Sequence, residues 1–229
     1  MVEAIERCRA ILASERGNRA IEGSTWHALA HLQARLGQFD EARDLAARSR
    51  VILEENGLLH EHASRSEVVA DVEVLVGDTL AATRVLEEGF AWTAGRGTPS
   101  PMLAAFLARA AWLAGDPARA ESVAIDGIGG DAWVQAIARS VLERVRASEG
   151  RHDEAEGLSR AAVATFERTD FLNFHGWVMV NHAEILEEAG RRAEAIAAFQ
   201  AALDLHERKG SIVEVEAIRR RIAELTTVN

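Results

Sequence analysis

The stretch "GQFDEA" at 37–42 returns in outline as "GDTLAA" at 77–82, "GDPARA" at 115–120, "GRHDEA" at 150–155 and "GRRAEA" at 190–195. Its glycines, Gly37, Gly77, Gly115, Gly150 and Gly190, stand 40, 38, 35 and 40 residues apart, within the period range of stacked helical hairpins. Five residues after each glycine comes an alanine: Ala42, Ala82, Ala120, Ala155 and Ala195. Seven residues before it come Ala30, Ala70, Ala108, Glu143 and Ala183, so four copies of five carry a small residue on both arms. A glycine can end a helix in the left-handed region without the strain a Cβ would bring. Asp78 and Asp116 follow at N-cap positions, and Pro117 suits a first helical turn. The outline is a helix–turn–helix hairpin, and the paired alanines let its two arms approach closely.

Working outward, Ile5, Cys8, Ile11 and Leu12 predict a lone helix over residues 2–15 that closes at Gly17. Hairpins are expected at about 24–55, 60–94, 100–126, 131–168 and 171–208, with a final helix at about 212–226, which makes about twelve helices. For that last helix Ser211 and Glu214 read as a capping box, Gly210 closes the helix before it, and Ile212, Val215, Ile218, Ile222 and Leu225 form an apolar stripe. Such an end helix would cover the face that a terminal repeat otherwise exposes. The stretches "TAGRGTPSP" at 93–101 and "GIGGD" at 127–131 read as loops, Ser100 and Pro101 marking a helix start. No alternating strand pattern competes. The expectation is an all-α, right-handed α-α superhelix of about five hairpins plus terminal helices, forming one domain over 1–229 with a bend near 127–131.

Composition narrows the function. A net charge of −10 argues against a nucleic-acid surface, which needs clustered Lys and Arg. The consecutive Arg219, Arg220 and Arg221 point three ways around a helix and are expected to be solvated or salt-bridged. One cysteine, Cys8, permits neither an intrachain disulfide nor a thiolate zinc cluster, and its place beside Ile5 and Leu12 suggests a buried packing role. No apolar run is long enough to cross a bilayer, and "MVEAIERC" lacks the basic start of a signal peptide, so a cytoplasmic location is expected.

Little in the chain points to chemistry. The phosphate-binding pattern G-x-x-x-x-G-K-[ST] does not occur, and the only lysine is Lys209. His27 and His31 share a helix face, with His60 and His62 opening the next hairpin, but "HALAH" lacks the glutamate of a zinc-protease helix. No metal, cofactor or catalytic residue is expected. His152 and His206 should be exposed or held by a helix end, His175 half-buried, and His182 a core histidine bonded to a neighbour. Trp26, Trp92, Trp112, Trp133 and Trp177 fall near the repeat seams as core residues, Trp112 also being a candidate hot spot for a partner.

Leu or Val with Ala, the turn Gly, the following Ala and Trp26 three residues before Leu29 together resemble the tetratricopeptide repeat, although the chain has no Tyr, no Pro closing its hairpins and repeats longer than the usual 34 residues. Residues 150–219, with "ERTDFLNFH", "AEILEEAGR" and "ERKGS", resemble the C-terminal helical-repeat region of large actinobacterial signalling ATPases, and the preference for Arg over Lys fits a GC-rich genome. In those proteins the region follows a nucleotide-binding module, often with a cyclase or DNA-binding domain. The resemblance implies a regulatory or partner-sensing segment and transfers no ATPase or cyclase activity. The alternatives are a free-standing adaptor or co-chaperone, and a small-molecule or metal-binding repeat protein.

In a superhelix of this kind the first helix of each hairpin lines the concave face, through residues six and ten before the turn glycine. One row is His31, Asp71, Arg109, Arg144 and Glu184; the other is His27, Glu67, Ala105, Ser140 and Val180. His27, His31, Glu67, Asp71, Arg109, Trp112, Ser140, Arg144 and Glu184 are therefore the expected partner-binding residues. The partner is a protein or peptide, or an adjacent domain, with neither nucleic acid nor membrane expected. Arg109 and Arg144 should be solvated and should receive its carboxylates.

Overall fold

A computed structural model describes residues 1–59, 63 and 65–227. Twelve helices and no strand are found among them, an all-α helical-repeat fold. Contacts group the chain into two compact units, Met1–Leu103 and Ala104–Asn229. The first holds α1 (Val2–Ser14), α2 (Arg19–Arg35), α3 (Phe39–Glu55), α4 (Ser66–Val76) and α5 (Thr79–Ala94). The division falls in the first turn of α6 (Pro101–Leu113). The second unit continues with α7 (Pro117–Gly127), α8 (Ala132–Ser148), α9 (His152–Phe166), α10 (Leu172–Glu188), α11 (Arg192–Lys209) and α12 (Ile212–Thr227). In unit one α2 packs on α1, α3 and α4, and α4 on α5; in unit two each helix from α7 to α12 packs on the next, with α8 also touching α10.

The five turn glycines all have positive φ, between 74° and 97°. Gly17, Gly57, Gly97 and Gly210, at turns between hairpins, have positive φ as well, between 67° and 91°. The nine seam alanines are at most 1 % exposed, so the arms meet where the sequence places them. Asp78 Oδ1 accepts from Ala81 N at 2.9 Å and Asp116 Oδ1 from Arg119 N at 2.9 Å, while Ser100 Oγ accepts from Leu103 N at 3.3 Å. Replacing Ala70 or Ala108 by leucine forces a packed seam apart and is expected to destabilise by about 1–3 kcal/mol. Melting curves read the result, and unchanged curves for both variants would contradict the seam.

Several expectations are corrected. α2 begins at Arg19, five residues before the expected hairpin start, because Asn18 caps it and Glu22 accepts from Gly17 N at 2.8 Å. The start expected at 60 lies outside the described residues. Cys8 is only partly buried, on the rim of the cluster around Ile5. Among the tryptophans only Trp177 is buried; Trp26, Trp92, Trp112 and Trp133 keep partial exposure. His206, expected to be exposed or held by a helix end, is fully buried in the last turn of α11. It lies over Gly176 of α10, where a Cβ would come within 2.2 Å of its Nε2.

The last helix keeps its stripe, with Val215, Ile218 and Leu225 buried against α11, though Ile212 is exposed. Ser211 and Glu214 engage each other side chain to side chain, and Ser211 N donates to His206 O at 3.0 Å. Arg219 pairs with Glu207 at 2.6 Å, and Arg221 reaches Glu187 and Glu224.

Candidate functional site

The expected site residues fall into one polar cluster per unit. In unit one, facing turns of α2 and α4 set His31 beside Asp71 and His27 beside Glu67. Asp71 Oδ2 accepts from Arg35 Nη2 at 2.8 Å and lies 2.9 Å from His31 Nε2. Arg35 Nε also lies 2.9 Å from His31 Nε2. That nitrogen accepts from Arg35 when unprotonated and donates to Asp71 when protonated, so the His31 tautomer and charge decide which bond is made. Arg35 and Asp71 are buried, a desolvated ion pair that the sequence reading did not single out. His27 is buried, 3.9 Å from Glu67 Oε1, and lines a cavity of about 320 Å³ with Ser49, Leu53, Ser66 and Trp92. Glu67 Oε2 is buried and makes no hydrogen bond among the described residues.

In unit two, α6, α8 and α10 bring the remaining residues together. Arg109 lies 3.9 Å above the Trp177 ring, and Arg144 lies 5.4 Å from the Trp112 ring. Arg144 Nη2 sits 3.2 Å from Glu184 Oε2 and 3.0 Å from Glu188 Oε1. Arg144 is only 8 % exposed, which overturns the expectation that it is solvated: its charge is already committed to its own helical neighbours. Ser140 is buried too, its hydroxyl donating to Ile137 O at 2.8 Å within the same helix. Burial pushes the Glu184 carboxyl above its usual value, against the pull of Arg144 and with the help of Glu188. An aromatic group that sequence reasoning missed adjoins Trp177: Phe174 stacks on Trp133 at 5.4 Å, with Phe106 and the exposed Phe171 edge-on to it. The run "FLNF" at 171–174 was its only signal.

A second buried group occupies the seam. Glu143, which stands where four repeats have alanine, is fully buried, and neither carboxyl oxygen makes a hydrogen bond of ordinary geometry. The Ser159 hydroxyl beside it is engaged with His182 Nδ1 at 2.8 Å, the neighbour bond expected of His182, although His182 is half-buried and not a core residue. Desolvation raises the Glu143 carboxyl well above 4.5, outweighing Ser159 and Arg144. Burial lowers the His182 imidazole below its ordinary value, keeping it neutral. Ser159 is fully buried, so this serine–histidine pair has no path to a substrate.

Glu143 makes stability depend on pH. The unfolded chain ionises it near 4.5 and the folded chain only at higher pH, so below 4.5 there is no penalty. As pH rises from there through the folded value, stability is lost. Glu143→Met keeps the volume and removes the charge, and is expected to gain about 1–3 kcal/mol at pH 8 with little change at pH 4. Urea unfolding at the two pH values checks this; equal effects at both would contradict a buried ionisable seam.

Among the described residues no group of three or more His, Cys, Asp or Glu is disposed to hold a metal ion, and His60 and His62 lie outside them. No helix among them is long and apolar enough to cross a membrane.

The family model for the tetratricopeptide repeat matches residues 178–207, which span the end of α10, the Gly190 turn and most of α11. Among solved structures, the chain is similar to a thermophilic TPR protein from Thermus thermophilus (20 % identity, TM-score 0.63, covering 90 % of this chain and 100 % of that one). It is also similar to the APC/C hetero-tetramer Cut9–Hcn1 (12 %, 0.67, covering 97 % of this chain and 40 % of that one) and to BtubC (BKLC) from P. vanneervenii (16 %, 0.57, 91 % and 89 %). These likenesses fix the fold as tetratricopeptide-like. No curated protein matches the chain.

Proposed function

We propose that the chain is a non-catalytic protein-interaction scaffold that presents the polar rows of its first helices, α2, α4, α6, α8 and α10, to a peptide or protein partner. One observation carries this reading: within each unit, residues of the two rows gather into polar clusters instead of scattering, with Trp112 beside Arg144 as a partly exposed aromatic anchor. The local resemblance of 150–219 supports placing the scaffold as the partner-sensing segment of a larger actinobacterial signalling or transcription-regulating ATPase, working in the cytoplasm. A contiguous ATPase reading frame upstream of Met1 would support that placement, and an independent promoter would count against it.

The surface is tested by affinity capture with two substitutions. Trp112→Ala on a first helix should weaken retention of the captured partner at least tenfold, on the order of 1.4 kcal/mol or more, as loss of an aromatic anchor does. Arg84→Ala, at an exposed site on second helix α5, should leave it unchanged. The reverse pattern would put the partner on the second helices.

A further inference from the structure

In the second unit, α8, α10 and α12 enclose a pocket of about 280 Å³ lined by Arg144, Glu184, Glu187, Glu188 and Arg221. Three carboxylates face two guanidiniums, leaving one negative charge in excess. Arg221 also divides its charge, donating to Glu187 from Nη2 at 2.5 Å and to Glu224 from Nη1 at 2.9 Å. Arg144 Nη2 is shared between Glu184 and Glu188. The Arg144 side chain is 9 % exposed, yet its Nε and Nη1 have no hydrogen-bond partner among the described residues. The pocket thus holds under-compensated carboxylates beside two buried donors that need an acceptor.

We propose that this pocket seats a basic residue of a peptide partner, its guanidinium or ammonium among Glu184, Glu187 and Glu188. The inference rests on the scaffold reading above and reverses the polarity expected from the sequence. An incoming carboxylate would find Nη2 of Arg144 already occupied, which denies it a bidentate grip, and would stand against three glutamates. Like charges brought to contact distance in a partly desolvated site repel, so the acid loses. A cation meets the opposite field, and the chain's charge of −10 favours its approach. The volume lies just below the range of small-molecule pockets, about 300–1,000 Å³, and fits one side chain.

Fluorescence polarisation with three acetylated, amidated nonapeptides tests this, the same Gly/Ala frame carrying three arginines, three citrullines or three glutamates. The arginine peptide should bind at least tenfold more tightly than the citrulline peptide, and more weakly as salt is added. Glu184→Gln/Glu188→Gln should erase that preference. Because this change leaves Arg144 uncompensated and could loosen the fold, Glu187→Gln serves as the second variant: Arg221 keeps Glu224, and the preference should still fall several-fold. Equal binding of arginine and citrulline peptides, tighter binding of the glutamate peptide, or a preference unchanged in both variants would each overturn the assignment. Failure of the scaffold reading looks different: capture of the partner would then be indifferent to Trp112→Ala.

Discussion

Asp71→Ala should destabilise the first unit by about 3–5 kcal/mol, the range for removing one partner of a buried ion pair. The loss comes less from the bond than from what remains: Arg35, at 1 % exposure, keeps its desolvated charge with one counter-charge fewer. His31 cannot take over, since it can accept from Arg35 only while neutral. Arg35→Met with Asp71→Leu removes both charges together and should recover most of the loss, because two apolar side chains suit this interior better than a desolvated cation that has lost a counter-charge. Urea unfolding of the single and double variants gives both numbers. A loss below about 1 kcal/mol for Asp71→Ala would mean that water reaches the pair.

Gly176→Ala is expected to cost about 3 kcal/mol, roughly 6–12 °C in melting temperature. The added methyl would meet His206 at Nε2, Cδ2 and Cε1, at 2.2, 2.6 and 2.8 Å. Exposed rings swing away from such contacts; His206 is fully buried between α10 and α12 and has nowhere to go. His206→Ala removes the clash, so the two substitutions together should cost less than the sum of their separate effects. Strict additivity would show that the ring and the glycine do not determine how α10 seats on α11.

These two sites mark the boundary of what the sequence told. Local rules were readable because they act over a few residues: glycines that reverse a helix, Asp78 and Asp116 that cap one, alanines that let arms touch. The burial of Arg35, Arg144, Glu143 and His206 was not, since it depends on which helix lies across each of them. Part of that was nevertheless written in the period. His31 and Asp71, His27 and Glu67, and Arg144 and Glu184 each stand 40 residues apart and pair with one another. Within each unit, equivalent positions on successive first helices are neighbours, so row-mates of opposite charge satisfy each other before any ligand arrives. Reading the rows as open to solvent, rather than as adjacent, is what made Arg144 look available. The fold rests on repeated local signals; the polarity of the candidate site rests on contacts one repeat away.

The most direct test of the scaffold account is hydroxyl-radical footprinting of the chain with and without its captured partner, read by mass spectrometry. His31 and Trp112 report on the first helices, while the exposed Leu80 reports on second helix α5. The account predicts that oxidation at His31 and Trp112 falls several-fold on binding while Leu80 stays unchanged; protection confined to Leu80 would contradict it.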